Sequence, residues 1–201
     1  MTEDMTDIVE HIGGSLIQHG GENDRIYLMK LHPPDLPELV LKLDMLAAEH
    51  GYGQIFARVP APLAAGFLRA KYVVEGRIPR FYNNATEALF LKKYFSAERQ
   101  HRYPRDEIRR VIDLAHAKQG TPPRPLPTGF VLRAADAADA PDIAQIYREV
   151  FASYPFPIHE PDYLIETMRS HVCYFAAETA GQIAAVASAE MDLDACAAEM
   201  T

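Results

Sequence analysis

Cysteine is scarce in this sequence, with only Cys173 and Cys196 among 201 residues. Two thiols cannot make a disulfide framework or a four-ligand zinc site, and both stand in apolar, strand-like surroundings where buried free thiols are expected. No run approaches the roughly 20 apolar residues a membrane helix needs, and the acidic start, residues 1–7, carries no apolar signal segment. A cytoplasmic location without a membrane partner is the expectation. Lys and Arg number 20 against 28 Asp and Glu, for a formal charge of −8. The cations are scattered, whereas binding to a nucleic-acid backbone draws on clustered ones, so no nucleic-acid partner is expected. The 8 histidines show no metal-ligand spacing such as two on one helical turn, so no metal is expected either.

What the chain does have is apolar content of 48%, ample for a packed core. Ile8 and Ile12 form a weak amphipathic pattern, which Gly13-Gly14 and Gly20-Gly21 punctuate. Residues 24–31 alternate as a strand that Pro33-Pro34 ends. Asp35 and Glu38 resemble a capping box for a helix with Leu36, Leu39, Val40, Leu43, Leu46 and Ala47 on one face, closed by Gly51. Residues 54–59 read as a strand, 60–70 as a short helix, and 72–78 and 86–94 as two further strands. A helix is expected over 105–118, with Ile108, Val111, Ile112 and Ala115 on one side. Four prolines then mark residues 119–128 as a semi-rigid linker. The expected class is therefore mixed α/β, divided into an amino-terminal region 1–118, the linker 119–128 and a region 129–201.

In that last region, Ile143, Ile146, Tyr147, Val150 and Phe151 run at helical spacing into residues 151–160, and Tyr163, Leu164 and Met168 lead out of them. Pro155 and Pro157 forbid a continuous helix across the segment. A stiff loop carrying Tyr154, Phe156, Ile158 and His159 suits a wall that recognises a small ligand. Strands follow at 172–178 and 182–191, joined by a turn at 179–181.

The block from Phe130 onward, Val-Leu-Arg-Ala-Ala-Asp through Tyr-Phe-Ala-Ala-Glu-Thr-Ala-Gly-Gln-Ile-Ala, resembles the opening half of a GNAT domain, the fold of acetyl-CoA-dependent N-acyltransferases. Within it, Val-Phe-Ala-Ser-Tyr-Pro-Phe-Pro-Ile-His at 150–159 and Ser-Ala-Glu-Met-Asp at 188–192 resemble the β-lysine N-acetyltransferases. So do Ser-Leu-Ile-Gln-His-Gly at 15–20, residues 23–31 and Ile-Pro-Arg-Phe-Tyr at 78–82. Residues 67–92 are similar to the closing half of a GNAT domain, making the amino-terminal region half-GNAT-like. Its first strand and helix are joined by Pro33-Pro34-Asp35, without the glycines that let a pyrophosphate approach backbone amides, so this region is expected to be structural.

The resemblance implies transfer of acetyl from acetyl-CoA to the side-chain amine of β-lysine, giving the osmolyte Nε-acetyl-β-lysine by direct attack of the amine on the thioester. It also implies a fourth strand beginning at Thr201 and a glycine-rich loop beyond it. Cofactor-binding residues are thus expected outside the sequence, and this chain alone is expected to bind acetyl-CoA weakly and to be inactive. A sheet edge would be left open, to be covered by the amino-terminal half or by a second copy in a homodimer. An aliphatic ammonium, with a pKa near 10.4, must lose a proton before it attacks, and a carboxylate is the natural acceptor. Glu190 and Glu199 are the candidates. Asp192, Tyr147, Tyr154, Phe156 and His159 are the expected substrate-binding residues. From Ser170 onward five acids and no Lys or Arg occur, as a cationic substrate would favour. Two other readings stand beside this one: a non-catalytic binding or assembly module, and a GNAT enzyme for another amine such as a polyamine or an aminoglycoside.

Overall fold

A computed structural model describes residues 7–101, 104–152 and 154–200. The acidic start over 1–6, Ser153 of the aromatic loop and Thr201 lie outside the described residues; the fourth strand expected from Thr201 instead begins at Ala197, because the chain turns at 193–196 and pairs back on the third.

The amino-terminal region builds a six-stranded sheet from β1 (Ile8–Ile12), β2 (Ser15–Gly20), β3 (Arg25–Lys30), β4 (Gln54–Pro60), β5 (Val73–Tyr82) and β6 (Thr86–Tyr94), in the order β1-β2-β3-β4-β6-β5. β3 and β4 run parallel, and helix α1 (Glu38–His50) makes the crossover between them. Alternation along β3 and β4 sends Ile26, Leu28, Ile55, Ala57 and Val59 to one face. There they meet Leu39, Val40, Leu43 and Ala47 of α1 and Phe67 of the short helix α2 (Ala65–Arg69).

The carboxyl-terminal region is a separate antiparallel sheet in the order β10-β9-β8-β7, made of β7 (Phe130–Ala134), β8 (Val172–Thr179), β9 (Gln182–Asp192) and β10 (Ala197–Met200). Helices α5 (Ala140–Val150) and α6 (Pro161–Ser170) pack on it through Ala140, Ile143, Ala144 and Leu164, against Val172 and Tyr174. Arg133 ties these elements together, bonding Glu178 on β8 at 2.8 Å and Asp139 before α5 at 2.6 Å. Between the sheets lie α3 (Ala97–Gln100), α4 (Arg105–Lys118) and the extended, exposed residues 121–127. The regions touch: Asp7 N–H donates to Pro155 O (3.2 Å), Asn83 N–H to Ala195 O (2.7 Å) and Lys30 Nζ to Asp194 (2.5 Å).

Four further expectations are corrected. Ile8 and Ile12 belong to a strand, because Gly13, with φ of +67°, reverses the chain into β2. Asp35 does not cap α1. The helix begins only at Glu38, with Pro37 in the N-cap position, and Asp35 ends a separate turn before it, where it accepts from Gly14 N–H (3.0 Å) and Ser15 Oγ (2.6 Å) and pins the β1–β2 hairpin. Cys173 is exposed because Val172, Tyr174 and Ala176 take the inward positions of β8; Cys196 is exposed in the β9–β10 turn. Finally, the apolar stripe of α4 packs against nothing described, leaving Ile108, Val111 and Ile112 about half exposed. No helix among the described residues is long and apolar enough to cross a membrane.

Candidate active site

Two prolines make the site possible. Pro155 and Pro157 stop α5 from running on, and Pro161 opens α6, so the described residues of the loop, 151–152 and 154–160, fold back over the sheet. Beneath them is a cavity of about 570 Å³, large enough for a small amino acid. Its aromatic wall is a relay of ring contacts: Tyr147 to Phe151 at 5.9 Å, Phe151 to Tyr154 at 5.1 Å, Tyr154 to Phe156 at 6.5 Å, and Phe156 stacked on Tyr163 at 6.5 Å.

Burial pushes the phenols of Tyr147 and Tyr163 up to about 12, helped in both by nearby Tyr174. It also raises Tyr154 and Tyr174, where the Glu190 charge adds to the effect. All four are neutral hydroxyls across the physiological range. Thr167 Oγ1 donates to Leu164 O (2.9 Å), so at its 3.0 Å contact with Tyr174 it must accept, and the Tyr174 hydroxyl is the donor.

Glu190 enters at the end of β9, beside Val172 of β8 and opposite Glu199 of β10. Among the described residues it is the only acid lining the cavity. His171 also lines it and holds Nε2 3.8 Å from Glu190 Oε1. The far wall comes from the other region, through Val9 of β1, Leu16 of β2 and Met29 of β3.

Of the expected site residues, the structure brings Tyr147, Tyr154, Phe156 and Glu190 together around the cavity. Glu199 stands behind Glu190, and its charge reaches Tyr154 and Tyr27 without lining the cavity. Asp192 caps its own turn, accepting from Ala195 N–H at 3.0 Å, and lies 3.9 Å from Arg58. His159 sits outside the cavity with Nε2 3.6 Å from Glu160 and its carbonyl accepting from Arg148. Three of the five acids thought to await a cationic substrate are thus paired within the protein: Asp192 with Arg58, Asp194 with Lys30, and Glu178 with Arg133. Sequence reasoning passed over Tyr163, Thr167, His171, Tyr174 and Ser188. The inward alternation of Tyr174 on β8 was a usable signal; nothing local marked Val9, Leu16 or Met29.

These side chains fit an alkylammonium: flat π faces, an apolar trough and one carboxylate. They do not fit a diphosphate. Gly181 lies in the turn at the opposite end of β8 and β9 from Glu190, and no Lys or Arg follows Arg169 in the sequence. No cluster of three or more His, Cys, Asp or Glu suited to a metal occurs among the described residues.

No protein-family model matches the sequence. Comparison with known proteins nonetheless defines the class: the chain is an N-acetyltransferase. It is 34% identical over 197 residues to the β-lysine N6-acetyltransferase of Methanococcus maripaludis, which covers 98% of this chain and 71% of that protein. The chain belongs to the β-lysine N6-acetyltransferase family. A Methanosarcina mazei member is 47% identical over 76 residues, 38% of this chain and 28% of its own length. Among solved structures, a GCN5-related N-acetyltransferase from Kribbella flavida aligns with 98% of this chain and 65% of its own, at 11% identity and a TM-score of 0.37.

Proposed function

We propose that the cavity under residues 151–160 binds β-lysine and presents its side-chain amine for acetylation by acetyl-CoA, giving Nε-acetyl-β-lysine in the cytoplasm. The observation that carries this reading is one carboxylate, Glu190, set in a cavity walled by four tyrosines and two phenylalanines. An ammonium beside an aromatic face gains about 0.5–2 kcal/mol, and each methylene buried behind it about 0.8 kcal/mol. A linear diamino acid supplies both. Tyr147, Tyr154 and Phe156 hold the methylene stem, and Glu190 anchors the ammonium. Glu199, on the neighbouring strand, adds negative potential.

Acetyl-CoA supplies the activated acyl group. What this chain contributes is orientation, exclusion of water and removal of a proton from the ammonium, so that the nitrogen lone pair forms the C–N bond as the C–S bond breaks. The leaving thiolate takes up the second nitrogen proton.

A panel of amines assayed with acetyl-CoA, in a chain extended to a full domain, tests the reading. We expect kcat/KM for β-lysine to exceed that for a polyamine or an aminoglycoside by at least about 10-fold. Substitution of Glu190→Gln should raise KM for β-lysine about 10-fold, the loss of one charge-assisted contact. A polyamine turned over as well as β-lysine would overturn the assignment.

A further inference from the structure

One side chain of the cavity wall besides the carboxylate carries a titratable nitrogen next to Glu190. His171 follows α6 directly, and its position is set from two sides. Its N–H donates to Thr167 O at 3.1 Å, and its carbonyl accepts from Met191 N–H at 2.8 Å, which brings it beside Glu190.

The tautomer follows from counting protons. The Ser170 hydroxyl has one proton, directed at the helix carbonyls of Glu166 (3.1 Å) and Thr167 (3.2 Å). Ser170 Oγ also lies 2.8 Å from His171 Nδ1. With its own proton turned to a helix carbonyl, as for a serine in the last turn of a helix, that oxygen accepts from Nδ1–H, and this is the tautomer assigned. Nε2 is then an unprotonated lone pair, on the cavity side and 3.8 Å from the Glu190 carboxylate.

We infer that His171 is the catalytic base of this site, taking one proton from the substrate ammonium on Nε2, while Glu190 stabilises the imidazolium that forms. This rests on the β-lysine reading of the cavity. The proton balance is simple. The ammonium gives one proton to Nε2, the amine then attacks, and the imidazolium returns that proton to water through its half-exposed edge once the product has left. An imidazole is better suited than a carboxylate to this transfer, because its affinity for a proton lies nearer to that of an amine. The charged and titratable groups around it are Glu190 and Glu199 from β9 and β10, Tyr174 from β8, Tyr163 and Glu166 from α6, and Tyr154 from the loop.

Three measurements on the full chain decide the matter. Nitrogen NMR of histidine-labelled protein should show neutral His171 protonated at Nδ1; an Nε2-protonated ring would overturn the inference whether or not turnover is observed. Replacement by His171→Ala should lower kcat about 10²-fold or more while calorimetric affinity for β-lysine changes less than about 3-fold, and added imidazole should restore part of the rate. His171→Gln, which keeps a polar side chain beside Ser170, should lose the acidic limb of the kcat/KM profile at its wild-type position. If both variants bind and acetylate β-lysine with wild-type rates and profile, His171 is not the base although the substrate reading stands. If wild-type protein fails to bind β-lysine, that reading falls, while the NMR result still judges the tautomer.

Discussion

At the scale of single residues, the tyrosines around Glu190 report on its charge. Burial is the leading reason that Tyr154, Tyr163 and Tyr174 hold their phenolic protons, and the Glu190 carboxylate adds to it in each. Removing that charge in Glu190→Gln should ease their ionisation, so spectrophotometric titration of the phenolates should begin at lower pH than in wild type. An unchanged curve would mean the carboxylate lies too far from the rings to anchor an ammonium among them. The same shifts bear on stability. These phenols have folded-state pKa values above the unfolded one, so their contribution is complete below pH about 10 and is lost as pH rises through the folded values. For Tyr147 and Tyr163 those values are about 12. Circular dichroism should therefore show alkaline loss of structure setting in between pH 10 and 12 rather than nearer neutrality. Residue types alone pointed to Tyr147, Tyr154 and Phe156, because a proline-bounded aromatic loop has few other ways to fold. They could not tell Glu190, which opens on the cavity, from Asp192, two residues further on, which closes a turn beside Arg58.

At the scale of elements, most helices and strands were legible because each carries its own periodicity. The helix over 105–118 and the alternating strands 172–178 and 182–191 are examples. Where two periods compete, the reading failed. Ile8 and Ile12 are four apart, which fits one helix face and equally one face of a strand, and only pairing with β2 decides. A cap was misread at Asp35 because a carboxylate three residues before Glu38 looks the same whether its partner is the helix or a distant hairpin. We propose that the exposed segment 119–128 separates two compact regions, one per sheet. Limited proteolysis should cut there or in the exposed helix α4 first, before any site within 35–95, where the chain is held in the six-stranded sheet and its helices. Early cleavage within 35–95 would count against that division.

At the scale of the whole molecule, the amino-terminal sheet does more than was expected of a structural region, because Val9, Leu16 and Met29 form one wall of the cavity. Shortening that wall with Leu16→Ala and Met29→Ala together should raise KM for β-lysine about 5-fold, near 1 kcal/mol of lost apolar contact, with kcat little changed. A KM that stays at the wild-type value would show that substrate never touches this wall. The sheets are also joined by charge, Lys30 to Asp194 and Arg58 toward Asp192. The exposed Lys30 pair contributes little to stability, but together these cations offset two of the acids the carboxyl-terminal sequence shows in isolation. The sequence by itself determined the mixed α/β class, the elements with unambiguous period and the aromatic loop, since each depends on sterics and apolar spacing within some ten residues. Only the tertiary structure decided which acids pair with Lys30, Arg58 and Arg133, that His171 stands beside Glu190 and which distant strands wall the cavity. Those outcomes depend on side chains that neighbour one another in space across separations as long as the 164 residues between Lys30 and Asp194, and no local pattern encodes such a meeting.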